Sequence, residues 1–246
     1  MTRTWLASVI AVAAGQAAGC IIATGQHDTV DDSDALLDVA WSLRDVDGVV
    51  SACPANGTLA AVLSQPVDPL GHALGAPQTD LFDCAAQGGT IRLIPDEYVV
   101  SVRIESAAGG SVYADSLASD LIDLTAFDSA ASFDIYNDGG YLALAWVLTG
   151  ATGAPPASLS CGDAGASTIE PVVQAAATGA LVDTIPLPCT NGLGISSVIP
   201  EGDYLVSLGA ATSQRTVGMS AARPVHVAGQ NRVTDLEPIT IPIAGK

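Results

Sequence analysis

The chain has 246 residues, 26 of them acidic against 8 basic, and a formal net charge of −18. Such a field repels nucleic acid and anionic lipid, which argues against both as direct partners. Apolar residues make up 49% of the chain and aromatics only 4%, with 25 Gly and 14 Pro, so the composition is that of a turn-rich β protein rather than a disordered one.

In chain order, Arg3 is followed by an apolar run, Trp5 to Ala14, of about ten residues. That is the length of a secretory signal and is short of the roughly 20 apolar residues that span a bilayer. Ala17-Ala18-Gly19-Cys20 comes next. This tetrapeptide resembles the lipobox of bacterial lipoproteins, with Ala17 where Leu is usual. The resemblance implies that residues 1–19 are a signal peptide cut just before Cys20, whose thiol carries a diacylglycerol. Two acyl chains hold a protein stably at a membrane, where one is marginal. Ile21 rather than Asp follows the cysteine, which under enteric sorting points to the outer membrane. The expected address is therefore the cell envelope of a Gram-negative bacterium, lipid-anchored. Residues 20–35 read as a short tether whose Asp31-Asp32-Ser33-Asp34 run is a solvated acidic spacer.

Beyond residue 35 the chain repeats itself. Leu37-Asp-Val-Ala-Trp41-Ser-Leu43 alternates like a half-buried strand, and Leu142-Ala-Leu-Ala-Trp146-Val-Leu148 does so again, 105 residues on at its tryptophan. Cys84 and Cys189 keep the offset of 105, as do Ile94-Pro95 and Ile199-Pro200. It becomes 106 for Tyr98-Val-Val100-Ser-Val102 against Tyr204-Leu-Val206-Ser-Leu208, and for Phe133-Asp-Ile135 against Ile239-Thr-Ile241. Five anchors at one offset within a residue point to a duplicated domain, residues 36–137 and 141–246. Within each copy, short alternating runs between Gly, Pro, Asn and Asp predict antiparallel β structure of the sandwich kind. Tyr98, Val100, Val102 and Ile104 are expected on one face of a strand, with Ser101 and Arg103 on the other. Val173 to Ala180 offers at most a helical turn. Gly88-Gly89 and Gly109-Gly110 read as turns. Asn137-Asp-Gly-Gly140 joins the copies; four residues span at most about 14 Å, and the paired glycines allow a limited hinge.

Pro200-Glu-Gly202-Asp-Tyr204-Leu-Val206 follows one predicted strand and opens another. Pro95-Asp-Glu-Tyr98-Val-Val100 does the same without the glycine. This Pro-x-Gly-x-Tyr-x-Val arrangement is similar to that of prealbumin-like β-sandwiches, including collagen-adhesin B-type repeats and carboxypeptidase regulatory-like domains. The resemblance covers about 20 residues of each copy. It implies two tandem Ig-like (prealbumin-like) sandwich domains, all-β, with the tyrosine at a sandwich corner. Domains of this kind act mostly as stalks, spacers or adhesion modules.

Cys53 and Cys84 fall in the first copy, 31 apart, and Cys161 and Cys189 in the second, 28 apart. In an oxidising, exported compartment one pair per copy predicts the disulfides Cys53–Cys84 and Cys161–Cys189, leaving Cys20 for lipid. Four cysteines without C-x-x-C spacing or a nearby histidine do not read as a metal site. His27, His72 and His226 are the only histidines, at unrelated places, and no G-x-S-x-G elbow or phosphate cradle is present. Asp45-Val-Asp-Gly48 lacks the further acids of a calcium loop and reads as a turn. The sequence thus offers no catalytic, cofactor-binding or metal-ligating set, and no cofactor is expected. The reading that results is a non-catalytic binding, adhesion or structural module with a protein or glycan ligand. The alternatives are a carbohydrate- or peptidoglycan-binding lipoprotein and an enzyme with an unrecognised site. Residues 28–138 carry 19 acids against 3 arginines, residues 139–246 only 7 against 4 basic groups. Charge alone therefore favours the second copy for any binding face.

Overall fold

Residues 34–54, 58–106, 111–150, 156–182 and 184–245 are described by a computed structural model. Residues 1–19 (read as a signal peptide), Cys20, most of residues 20–35 and Gly109-Gly110 lie outside the described residues. The first strand, β1 (Ala35–Arg44), buries Leu37, Val39, Trp41 and Leu43 and exposes Asp38 and Ala40, the period of a strand with one wet face. Asp45 to Gly48 then turns: the Gly48 N–H donates to Asp45 O at 2.9 Å, and Gly48 takes φ +83°, where glycine is unstrained. The first copy continues through β2 (Thr58–Pro66), β3 (Gln78–Asp83), β4 (Gly88–Leu93) and β5 (Glu97–Ser106). It ends with β6 (Val112–Asp115), the short β7 (Ile122–Asp123) and β8 (Ser129–Tyr136). In β5 the expected face is buried: Tyr98, Val100, Val102 and Ile104 are at most 5% exposed.

The second copy starts with β9 (Gly139–Gly150) and β10 (Ser158–Leu159), then one helical turn, α1 (Cys161–Ala164). After β11 (Thr168–Ala175) come the short strands β12 (Leu181–Val182), β13 (Leu187–Pro188), β14 (Leu193–Ile195) and β15 (Ile199–Pro200). The remainder is β16 (Gly202–Ala211), β17 (Thr216–Met219), β18 (Arg223–Val227), β19 (Val233–Asp235) and β20 (Ile239–Ile243).

Two sheets face each other in the first copy, β4-β1-β8 and β3-β2-β5-β6, with β7 added to β5. Between them lies one apolar core, which includes Leu37, Trp41, Val62, Val102, Ile104 and Ile135. The second copy lays its strands out the same way around a separate core of Leu142, Trp146, Ile169, Leu208, Ile239 and Ile241. There β9 stands where β1 stood, and β11 and β16 pair as β2 and β5 do. The chain is an all-β sandwich fold. Its sheets are not purely antiparallel, however. β8 runs parallel to β1 with Phe133 opposite Trp41, and β20 runs parallel to β9 with Ile239 opposite Trp146. Alternation along one strand carries no information on the direction of its neighbour, so this was not visible beforehand.

Each core is organised around a tryptophan whose indole N–H is buried. Trp41 Nε1 donates to Cys84 O at 2.9 Å, and Trp146 Nε1 to Cys189 O at 3.2 Å. In both places the acceptor sits in a single 3₁₀ turn, Cys84–Ala86 and Cys189–Asn191. Each turn ends on a left-handed residue, Gln87 at φ 56° and Gly192 at φ 70°, whose carbonyl accepts the tryptophan's own backbone N–H at 3.1 Å. Disulfides Cys53–Cys84 and Cys161–Cys189 tie these turns to the rest of their copies. The tyrosines are matched as well: Tyr98 donates its hydroxyl proton to Ile94 O at 2.9 Å and Tyr204 to Pro200 O at 2.8 Å.

Some local expectations are corrected. Gly88 and Gly89 lie inside β4 rather than in a turn, because a Cβ on Gly89 would fall 2.3 Å from the Phe82 ring. The glycine makes room for that ring, whose centroid lies 5.9 Å from that of Trp41. Val173 to Ala175 complete β11, and a single turn follows, with the Gly179 N–H donating to Ala175 O at 2.7 Å; a further helical turn forms at Cys161–Ala164, started by a capping box between Ser160 and Asp163. In the second copy β17 also meets β20, through the single rung Gly218–Ile243, and joins the sheets into one path.

Replacing Cys161 and Cys189 together by alanine should lower stability by about 3 to 4 kcal/mol, as expected for releasing a loop of this size. Urea unfolding of the variant against the oxidised wild type measures it; an unchanged midpoint would contradict the cross-link's role. At the second closure, a Cβ on Gly218 would lie 2.5 Å from Pro242 O. Gly218→Ala should therefore destabilise the chain by about 1 to 3 kcal/mol in the same assay, by forcing β17 off β20.

Candidate functional site

The two copies share a plan but close it differently. Through the matching ladders of β5–β6 and β16–β17, Ala114 occupies the position of Gly218. Gly218 lets β17 reach β20 directly, whereas Ala114 carries a methyl at that position and is buried in the core of its copy. β6 and β8 do not pair, and β8 is left as an edge strand, hydrogen-bonded only to β1 among the described strands.

At one point the gap is bridged from the second copy. Asn231, 2% exposed, accepts from the Tyr136 N–H with its Oδ1 at 2.8 Å and donates from its Nδ2 to Asp115 O at 2.7 Å. Its amide thus stands between β8 and β6 at the level where β20 and β17 meet directly. Asn231 takes φ 59°, a left-handed conformation that asparagine tolerates better than most side chains. The loop around it is fastened to the junction. Gln230 N–H donates to Asn137 O at 3.0 Å, Asn231 N–H to Gly139 O at 2.7 Å, and Tyr141 N–H to Arg232 O at 2.8 Å. A Cβ on Gly140 would lie 2.2 Å from Ala228 O, and one on Gly139 would lie 2.5 Å from Val46 Cγ1. The paired glycines of the connection are therefore needed for close approach. Both lie inside β9 and neither adopts positive φ, so the latitude that paired glycines allow is not used for a turn here.

Past Asn231 the gap opens into a groove of ≈ 460 Å³. One wall is β8 from Ala130 to Tyr136 and the other is the segment Ser116 to Ile122. The second wall is held in place by β5: Ser116 and Ser119 hydroxyls accept the backbone N–H groups of Val102 and Val100, at 2.8 and 3.0 Å. Ser116 has a counterpart in Ser220, whose hydroxyl accepts the Leu208 N–H at 2.9 Å. Asp134 points outward from β8 and pairs with Arg44 at 2.7 Å, while Asp120 on the opposite wall is exposed.

Tyr141 lines this groove and is only 8% exposed, yet its hydroxyl has no hydrogen-bond partner among the described residues. Burial, with Tyr136 and Asp134 nearby, pushes its phenol up to about 12. The group is thus a neutral donor at physiological pH, directed to an open groove.

The histidines lie elsewhere. His72 and His226 are exposed and each faces an aspartate at 2.9 Å, Asp68 and Asp203. Hydrogen bonds from the His72 backbone and ring hold the Asp68 carboxyl below its usual range. No group of three or more His, Cys, Asp or Glu among the described residues is placed to hold a metal. Trp41 and Trp146 are both buried and offer no stacking platform. The groove belongs mainly to the acidic first copy, whereas charge alone favoured the second. An open sheet edge, which no charge count registers, decides its position. Tyr141 and Asn231 escaped sequence reading because Tyr141 resembles any strand aromatic and Gly229-Gln-Asn-Arg232 resembles any turn. The Ser116–Ser220 match was the one available signal.

No protein-family model matches the chain, and no curated protein matches it in sequence. Among solved structures, a leucine-rich repeat protein from Bacteroides thetaiotaomicron aligns over 86% of this chain at 10% identity and TM-score 0.41; the chain spans 26% of that protein. The minor pilin GBS52 of Streptococcus agalactiae aligns over 86% of this chain and 97% of its own, at 14% identity and TM-score 0.29. An adhesin candidate from Bacteroides ovatus aligns over 93% of this chain and 100% of its own, at 11% identity and TM-score 0.30.

Tyr141→Phe should fold at least as stably as wild type near neutral pH, since the lost hydroxyl has no partner. The phenol's pKa is raised in the fold from 10.0 to about 12. Its contribution is therefore complete below pH 10 and is lost as pH rises towards 12. Denaturant midpoints measured across that interval should fall more steeply for wild type than for Tyr141→Phe.

Proposed function

We propose that this chain is a lipid-anchored, extracytoplasmic lipoprotein that acts as a non-catalytic binding or adhesion module. In this reading residues 1–19 are removed and Cys20 carries the lipid. Residues 20–35 form the tether, and residues 36–137 and 141–246 are tandem β-sandwich domains. The lipobox-like Ala17-Ala18-Gly19-Cys20 supports the anchor, and one separate core and one disulfide per copy support the domain division. The observation that carries the binding role is the groove at the β8 edge, with the Tyr141 hydroxyl, unpaired among the described residues, opening onto its lining. A site built for chemistry would set a base against a nucleophile; here the polar groups are serine, tyrosine and aspartate side chains engaged in holding backbone or open to solvent. A glycan or peptidoglycan ligand is the second reading, and the two tyrosines of the groove, Tyr136 and Tyr141, are what favour it. The expected place of action is the outer membrane of a Gram-negative cell.

Expression of wild type and Cys20→Ala in a Gram-negative host tests the anchor. Wild type should sediment with membranes and show the mass of a diacylglycerol-modified Cys20, and the variant should do neither. Wild type without acyl mass would overturn it. For the groove, Ala118→Trp adds a large side chain at an exposed lining position. Binding to native envelope fractions should be lost in that variant and kept in wild type; equal binding would remove the groove from the proposal.

A further inference from the structure

The direction of the free backbone groups of β8 can be worked out from its last residues. Asn137 N–H donates to Arg44 O on β1 at 2.8 Å, whereas Tyr136 N–H points away from β1, to Asn231 Oδ1 at 2.8 Å. Backbone groups alternate sides along a strand. The N–H and C=O of Asp134, Ser132 and Ala130 therefore face away from β1 as well, into the groove that these residues line. Of this outward series only Tyr136 has a partner among the described residues, and that partner is an amide.

A side-chain amide has the same donor and acceptor as a peptide unit. Asn231 lies between β8 and β6 and bonds to both, as one residue of an intervening strand would. The next three outward positions continue the ladder with nothing on them among the described residues. Edge strands left open in this way are templates for another chain. Here the open stretch is walled on its far side by Ser116 to Ile122 and ends at the Tyr141 phenol, whose hydroxyl opens onto the groove.

Charge selects among occupants. Residues 34–138 carry 16 acids against 3 arginines, and Asp120 and Asp134 stand on opposite walls of the groove. A second copy of this chain, added β8 to β8, would bring these aspartates against their own duplicates, which is unfavourable. A cationic segment meets the exposed Asp120 on one wall, the half-exposed Asp134 with its Arg44 partner on the other, and the net negative field of the first copy around both.

We propose that the β8 edge docks an extended, cationic peptide segment of a partner protein. The segment would pair with the outward backbone groups of Ala130, Ser132 and Asp134, continue the rung begun by Asn231, and place a carbonyl within reach of the Tyr141 hydroxyl. This is recognition by strand addition, in which main-chain hydrogen bonds give affinity and side chains give selectivity. The proposal rests on the reading of the chain as a binding module and specifies the ligand class.

The test uses the full chain and three labelled octapeptides: alternating Lys-Val, alternating Glu-Val, and Lys-Val with alternate backbone nitrogens methylated. Lys-Val should bind saturably, Glu-Val should not, and the methylated peptide should bind at least about tenfold more weakly, as expected for losing two or more hydrogen bonds. Ser132→Pro removes one outward N–H from an edge strand, where proline is tolerated, and should weaken Lys-Val by a similar factor. Should Ser132→Pro fail to fold, hydrogen exchange on wild type replaces it. The peptide should then slow the amides of residues 130, 132 and 134 and leave those of 131, 133 and 135 unchanged. Equal binding of the methylated and parent peptides would reduce the effect to charge and overturn the proposal, as would no binding of Lys-Val at millimolar concentration. Peptidoglycan fragments that slow the same amides while Lys-Val does not would also overturn it, and would leave the broader binding role standing. Failure of every probe, together with envelope binding by Ala118→Trp equal to wild type, would instead remove the groove altogether.

Discussion

A buried indole N–H has to find an acceptor, and most of this fold follows from how that requirement is met. In each copy the acceptor is the carbonyl of a half-cystine, Cys84 for Trp41 and Cys189 for Trp146. That carbonyl must be aimed into the core from a short turn, so the turn has to end on a residue that accepts a left-handed backbone. Gly192 does so without strain, and Gln87 does so because its own carbonyl gains the Trp41 N–H. The disulfide then cross-links the turn at the same residue, and Phe82 can lie beside Trp41 only because Gly89 has no side chain. Tryptophan, turn, disulfide and glycine are one unit, and the next strand of the sheet is positioned by it.

The duplicated plan makes its departures informative. Where the copy whose sheets meet has Gly218, the copy whose sheets stand apart has Ala114. The first copy recovers part of the lost closure by borrowing a side-chain amide from the second, so Asn231 both fastens the junction and limits the opening. What remains open is a groove at an edge strand. Natural sheets usually blunt such edges with charge, and Asp134 with its Arg44 partner is placed accordingly.

The acidity of the first copy has a local structural component that net charge conceals. Asp45, Asp68, Asp83, Asp123, Asp128 and Asp138 each accept a backbone N–H through a side-chain oxygen at 2.8 to 2.9 Å. Aspartate in turns does this because its short carboxylate reaches neighbouring amides that no strand partner can satisfy. Two of these bonds reach across the sequence, from Leu36 to Asp128 and from Val46 to Asp138, and they fasten the two ends of β1 to the ends of β8. Many of the acids are therefore placed where the turns need acceptors, and the surface field that results is available for selecting a cationic partner.

The sequence by itself determined the period-two strands, the repeat and its one-residue slip, the cysteine pairing within each copy, and the burial of Trp41 and Trp146. Each of these is written in spacing along one chain, and spacing is what burial on one face of a strand imposes. The same residues were silent on the parallel partners of β1 and β9, because strand direction depends on a neighbour about 90 residues away. They were silent too on Gly139-Gly140, where the same two glycines suit a hinge or a close approach equally well until Ala228 O and Val46 Cγ1 are in place. Tyr141 became distinctive only once the fold had buried its ring and left its hydroxyl without an acceptor, and Asn231 only once a loop of the second copy had been carried to the edge of the first. Local pattern settles which face of a strand is dry; which edges stay open depends on contacts between residues far apart in the chain, and those exist only in the folded structure.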